Sequence, residues 1–147
     1  MKKKSLEWHE RKEKMSREIK FRAWLREEKK MVNVETIDFT DKSMQYLEKN
    51  EIIDAYLLRR VIFDDIELMQ YTGIKDKNGV EIYEGDLVKI LDNVNETICE
   101  VRFEYGGYIL KNGDLREELL YLEERFMEVV GNIYENEELL KSEEKND

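Results

Sequence analysis

The stretch from Leu68 to Leu91 constrains the fold more than any other. Asn78-Gly79 separates two apolar-rich runs, and Glu84-Gly85-Asp86 follows a few residues later. An Asn-Gly pair in that setting predicts a type I′ hairpin turn, because both central residues need positive φ. Gly85 then turns the chain out of that element, and Leu87–Leu91 opens a new strand. Turn geometry and capping account for such glycines and their neighbouring carboxylates. Gly73, Asn78, Gly79, Gly85, Asp86, Gly106 and Gly107 are therefore expected to be structural turn residues.

Turns this close together imply short antiparallel strands, and the flanking sequence agrees. Ile19, Phe21 and Ala23 alternate with Lys20, Arg22 and Trp24, the pattern of a half-buried strand. Arg26–Lys30 is a polar turn, and Met31–Phe39 returns as the second arm of a long hairpin. Its apolar parity changes between Val32/Val34 and Ile37/Phe39, which predicts a bulge near Glu35-Thr36. Residues 40–60 are ambiguous. Met44–Leu47 fits a short strand, whereas Ile52, Ile53, Tyr56, Leu57 and Arg60 fall at helical spacing. Val61-Ile62-Phe63 reads as strand, and Asp64-Asp65 as a break before Ile66–Thr72.

Beyond the central stretch, Asp92–Glu96 is a loop. Cys99, Val101, Phe103 and Tyr105 then alternate with Glu100, Arg102 and Glu104, the clearest period-two run in the chain. Gly106-Gly107 is a second hairpin turn into Tyr108-Ile109-Leu110, and Asn112-Gly113 ends that strand. Leu115, Leu119, Leu122 and Phe126 predict an acidic amphipathic helix over 115–126. Met127–Tyr134 is a closing strand, and Asn136 is a suitable N-cap for a short helix over 137–141.

These elements describe an α+β chain, predominantly β, with an N-terminal antiparallel hairpin layer. At 147 residues it is long enough for one domain, here placed over 16–141 and divided at about residue 72 into an N-terminal β part (16–72) and a second part (73–141). Residues 1–15 are a basic helical or disordered extension, with Met15 an alternative start, and 142–147 a disordered tail. Net charge is −10. Residues 1–14 hold six Lys/Arg and three Glu, a net of +3, which leaves −13 on the rest. An acidic body disfavours nucleic acid, whose affinity comes largely from neutralised phosphates. No apolar run is long enough to span a membrane as a helix. A single cysteine, Cys99, permits no intramolecular disulfide and points to a reducing, cytoplasmic setting.

Candidate chemistry is sparse. His9 is the only histidine and lies in the extension, so the body offers no Ser-His or Cys-His arrangement. Cys99, on the inward parity of its strand, is expected to be a buried small hydrophobe. Asp64-Asp65, Asp86 and Asp114 sit near turns without forming a calcium-type loop. Gly106-Gly107 lacks a following Gly-Lys-Ser/Thr and is no phosphate cradle. No catalytic, cofactor or metal residues are assigned, and an enzyme is not expected. Tyr71, Tyr83, Tyr105 and Tyr108, with Phe103, cluster on the central strands. Core and hairpin packing is the plainer role for them. The sharper one is an interaction surface at Tyr71, Tyr83, Tyr105 and Tyr108, since aromatics anchor protein interfaces and stack bases.

Three segments carry a resemblance. Arg17-Glu18-Ile19-Lys20-Phe21-Arg22-Ala23-Trp24 resembles the N-terminal signature of the YopX family of phage and mobile-element proteins. Leu68–Asp76, with Asn78-Gly79 and Ile82-Tyr83-Glu84-Gly85-Asp86, resembles its central signature, and Val130-Gly131-Asn132-Ile133-Tyr134 fits near the end. The resemblance spans about residues 16–141. It implies a small, mostly β accessory protein of bacteriophages, prophages and conjugative elements of Gram-positive hosts, and homo-oligomerisation. It supplies no catalytic residues. The order Glu-Gly-Asp-Leu-Val, strand, Gly-Gly hairpin and Val-Val-Gly-Asn-Ile is similar to small SH3-like barrels, an analogy of pattern that leaves the ligand open. The expected function is a non-enzymatic protein-interaction module that self-associates or binds a host or phage protein. The alternative is a nucleic-acid-binding regulator using an SH3-like β face.

Overall fold

The computed structural model describes residues 17–92 and 95–144. The extension expected over 1–15 and the last residues of the tail lie outside them. The strands are β1 (Phe21–Leu25), β2 (Lys30–Asn33), β3 (Thr36–Asp38), β4 (Ser43–Asn50), β5 (Ala55–Ile62), β6 (Ile66–Lys75), β7 (Glu81–Tyr83), β8 (Asp86–Leu91), β9 (Glu96–Glu104), β10 (Gly107–Asn112), β11 (Leu115–Glu118) and β12 (Met127–Asn132). One α-helix among the described residues, α1 (Glu138–Glu144), follows. It enters the stretch expected to fray. The class is α+β and predominantly β, as the sequence predicts.

Every strand pairing is antiparallel, in three sheets ordered β2-β1-β6-β7, β3-β4-β5 and β11-β10-β9-β8-β12. Two apolar clusters underlie them. Ala23, Leu25, Met44, Tyr46 and Ile66 join the first two sheets. Ile82, Val88, Cys99, Val101, Leu110, Leu119 and Met127 fill the space under the five-stranded sheet. β7 belongs to the first sheet, yet its Ile82 lies in the second cluster, so the stretch around β6 and β7 joins the two halves.

The parity change expected near Glu35-Thr36 is real, but its cause is different. There is no bulge in one strand. The Val34 N–H donates to Phe21 in the first sheet, and the Glu35 N–H donates to Gln45 in the second. The chain crosses between sheets there, and each sheet keeps its own inward parity. Residues 51–60 contain no helix. Asn50 Oδ1 accepts the N–H groups of Ile52 and Ile53 (3.0 and 3.2 Å), Asp54 takes positive φ, and the chain returns as β5. The helical spacing was coincidental, because Asn50 supplies a turn before a helix can nucleate.

Two turns also differ from expectation. Of Asn78-Gly79 only Gly79 has positive φ (78°), so the turn is not type I′. Asp76 organises it instead, its Oδ1 accepting the N–H groups of Asn78 and Val80. The type I′ signature, with positive φ at both central residues, occurs at Tyr105-Gly106 (52° and 82°). Glu104 pairs with Gly107 there, one residue earlier than a Gly106-Gly107 turn would place it.

The acidic helix expected over 115–126 is absent. Leu115–Glu118 pairs with β10 as edge strand β11, and two 3-10 turns, Leu119–Tyr121 and Glu124–Phe126, follow. Backbone pairing to an open sheet edge overrode the 3.6-residue spacing. Leu119 is fully buried while Leu120 is exposed, so the apolar side chains do not share one face. Asn136, expected as an N-cap, also braces the chain just before α1. Its Oδ1 accepts the Asn132 N–H (3.2 Å), and it crowds Gly131 so closely that a Cβ there would collide with it.

Candidate interaction surfaces

The three segments that carry the family resemblance meet at the junction of the halves. Lys20 Nζ, at the entry to β1, lies 2.6 Å from Glu81 Oε2 at the start of β7. On β1, Arg22 Nη2 donates to Asp86 Oδ1 (2.7 Å) and to the Glu84 carbonyl (3.1 Å). Its guanidinium lies over the Tyr83 ring, 4.8 Å from the centroid. Two residues on, Trp24 stacks on Tyr134 at 5.4 Å. A β strand sends alternate side chains to one face, so Lys20, Arg22 and Trp24 reach successive partners along it.

The turn they grip is tightly knitted. Asp86 Oδ2 accepts the Tyr83 N–H (2.8 Å). The Gly85 N–H donates to Val101, and its carbonyl accepts from Ile133. Glu84 exchanges bonds with Gln70 through its own N–H and through Oε1. Burial pushes the Glu84 carboxyl above the usual carboxylate range. Burial also raises Asp86, with the Arg22 guanidinium pulling the other way. Hydrogen bonding to Glu81 and then Glu18 raises the Lys20 ammonium. Asp76 is the third anchor. Besides closing its own turn, its Oδ2 accepts the Val129 N–H of β12 (2.9 Å). These groups bond to one another and to the backbone, which is what a structural clasp requires.

The turn residues therefore do structural work, and the tyrosines divide. Tyr71 and Tyr83 are buried against each other, ring centroids 5.5 Å apart. They belong to the packing rather than to a surface. Tyr108 packs edge-on to Phe103 at 5.2 Å. Tyr105 is 93% exposed at the β9–β10 tip, with the Arg116 guanidinium 5.1 Å from its ring. Only Tyr105, and in part Tyr108, stand where a partner could touch them. Cys99 is buried in the apolar cluster. A cleft of about 460 Å³ lies between β1, β3 and β7, with Lys20, Glu81, Tyr83 and Glu35 in its lining, and Lys20 and Glu81 pair with each other.

A surface that the sequence reading missed lies on the β4–β5 hairpin. Ile52 and Ile53 are exposed at its tip, and Leu47, Tyr56, Leu58 and Ile62 on its outer face. Ambiguity over 40–60 concealed it. Read as strand, 55–62 shows Tyr56, Leu58 and Ile62 on one parity and Leu57 and Val61 on the other, which is apolar on both faces. β5 lies at the end of its sheet and pairs with β4 alone among the described strands. No helix among the described residues is long and apolar enough to cross a membrane.

Comparison with known proteins agrees with the resemblance. Protein EF1440 from Enterococcus faecalis has a solved structure that is 27% identical, with a TM-score of 0.59 over 85% of this chain and 99% of that one. Protein yopX from Bacillus subtilis is 25% identical, with a TM-score of 0.57 over 82% of this chain and 97% of that one. No curated protein sequence matches. The family model described as YopX protein matches residues 20–141, the span that holds the Arg22–Asp86 clasp, the Asp76 turn and the Trp24–Tyr134 stack, and the chain belongs to that family.

Proposed function

We propose that this protein is a non-enzymatic protein-interaction module that self-associates, an accessory protein of a phage, prophage or mobile element acting in the cytoplasm. The observation that carries the reading is the β4–β5 hairpin. An eight-residue strand that pairs on one side only among the described strands, with exposed apolar side chains, favours pairing with another chain. The signature residues support the same reading, because the Asp76 and Asp86 carboxylates are spent on backbone N–H groups and on Arg22. The acidic surface of the five-stranded half supports a protein partner over nucleic acid.

Size-exclusion chromatography with light scattering over a concentration series tests this. A mass above that of one chain, falling on dilution, is expected. A single-chain mass at every concentration would overturn self-association.

A further inference from the structure

We infer that two copies pair through β5 in a two-fold antiparallel register centred on Leu58, giving one continuous six-stranded sheet. The inference rests on the self-association proposed above and names its surface.

The backbone sets the first condition. The Phe63 N–H donates to the Lys42 carbonyl (2.8 Å), and the β4–β5 register continues from Ser43↔Ile62 to Asn50↔Ala55. Hydrogen-bonded and non-hydrogen-bonded pairs alternate along an antiparallel ladder. Val61, Arg59, Leu57 and Ala55 therefore turn their backbone groups toward β4, and Ile62, Arg60, Leu58 and Tyr56 turn theirs to the open edge. Met44 and Val61, which pair across the ladder, belong to the apolar cluster beneath the sheet. Tyr56 (66% exposed) and Leu58 (52%) accordingly lie on the outer face.

Symmetry sets the second. In a two-fold extended sheet, residues directly opposite each other lie on the same face, so the axis passes through a residue and not between two. β5 runs from 55 to 62. Only centres at 58 or 59 bring seven of its eight residues into overlap, 55–61 or 56–62 respectively.

Charge chooses between them. A centre at 59 sets Arg59 against the second copy's Arg59 in a close, non-hydrogen-bonded pair, and like charges directly opposite are destabilising. A centre at 58 sets Leu58 against Leu58, Ala55 against Val61, and Tyr56 against Arg60, a cation–π pair formed twice. Both arginines keep the carboxylates they already hold, Glu48 at 2.8 Å from Arg59 and Asp41 at 2.7 Å from Arg60. Because Leu47 lies opposite Leu58 within each copy, four leucines then run unbroken across the axis on the outer face.

The test is made on the full chain. Leu58→Cys should form an intermolecular disulfide on mild oxidation, because opposed residues of a hydrogen-bonded pair lie within disulfide reach. Ile52→Cys, also exposed, should not. Leu58→Pro should be monomeric, and at concentrations where the wild type is also a single chain it should keep the wild-type melting temperature, since that N–H faces away from β4. Leu58→Lys, which places two ammonium groups face to face, should weaken the dimer about tenfold or more. A dimer that survives both Leu58→Pro and Leu58→Lys, or that crosslinks at Ile52→Cys and not at Leu58→Cys, overturns the β5 register while leaving self-association standing. A monomeric wild-type chain overturns both.

Discussion

The two halves hold their strands together in opposite ways. In the five-stranded half and its junction, the polar groups that matter are buried and aimed at backbone: Asp76 at the N–H groups of Asn78, Val80 and Val129, Asp86 at that of Tyr83. In the β3-β4-β5 sheet, the polar contacts are exposed: side-chain acceptors at the turns, Asp38 and Asn50, and side-chain pairs such as Arg59–Glu48 and Arg60–Asp41. Pairs of that kind contribute about 0–1 kcal/mol each, whereas stranding a buried hydrogen-bonding group costs about 1–3 kcal/mol. β8 shows the contrast within one strand. Leu87 and Val88 point to opposite faces, and both are fully buried. On β5, Tyr56 and Leu58 share one face and both are exposed. One region stores stability, and the other leaves apolar surface exposed.

Three substitutions can break or sharpen this contrast. Asp76→Ala should have the largest effect. Removing the acceptor of three backbone N–H groups should cost about 3 kcal/mol or more in urea unfolding at low protein concentration, against less than about 1 kcal/mol for Tyr56→Ala. Comparable losses would show that the β4–β5 hairpin is as integral to the fold as the clasp.

Glycine replacement within the signature should be graded. Gly79 and Gly85 both have positive φ, which a β-branched side chain resists at about 1–2 kcal/mol. Gly79 has nothing within 4 Å of an added Cβ, but at Gly85 the Met69 sulfur would lie at 3.1 Å and Ile133 at 3.6 Å. Gly85→Val should therefore lose about 3 kcal/mol and Gly79→Val about half of that. Equal melting temperatures for the two variants would show that backbone strain alone governs the turns.

Glu84→Gln should have the smallest effect, visible only against pH. Burial raises the folded carboxyl above its unfolded value. The folded state thus keeps a proton that the unfolded chain gives up. The stability tied to that proton is fully present below the unfolded pKa and is lost as pH rises through the folded one. Gln keeps an acceptor for the Gln70 N–H without the titration. As pH rises from the ordinary glutamate pKa through the raised folded one, the variant's melting temperature should rise relative to wild type. A constant difference would mean that the Glu84 pKa is the same in both states.

Legibility in the sequence followed the range of the forces involved. β1 and β9 were visible because period-two alternation is a local record of a buried face, and β8 because the Gly85 turn precedes it. The positions of the Asn78-Gly79 and Gly85 turns were visible because turn chemistry is read from adjacent residues, but not the role of Asp76 in the first. β5 and β11 were not. Leu115, Leu119, Leu122 and Phe126 recur at helical spacing, but the open edge of β10 took up Leu115–Glu118 as strand. The clasp was half legible. Asp86 and Gly85 could be named as turn residues, while Arg22, more than sixty residues earlier in sequence, carries no local mark of its partner.

By itself, the sequence determined the β-rich class, the turn positions around Gly79 and Gly85, and membership of the YopX family, since each rests on side-chain type at short spacing; Gly73, expected as a turn, lies inside β6 with positive φ, where the β6–β7 register shifts. Only the tertiary structure decided that the chain crosses between sheets at Val34-Glu35, that Tyr71 and Tyr83 pack inward while Tyr105 stands free, and that the long edge left open is β5. Those outcomes depend on which backbone edges find partners, and hydrogen-bonding capacity is the same at nearly every residue. What began as a run of glycine turns from Leu68 to Leu91 is the place where both halves are fastened, through Arg22, Asp76 and Asp86.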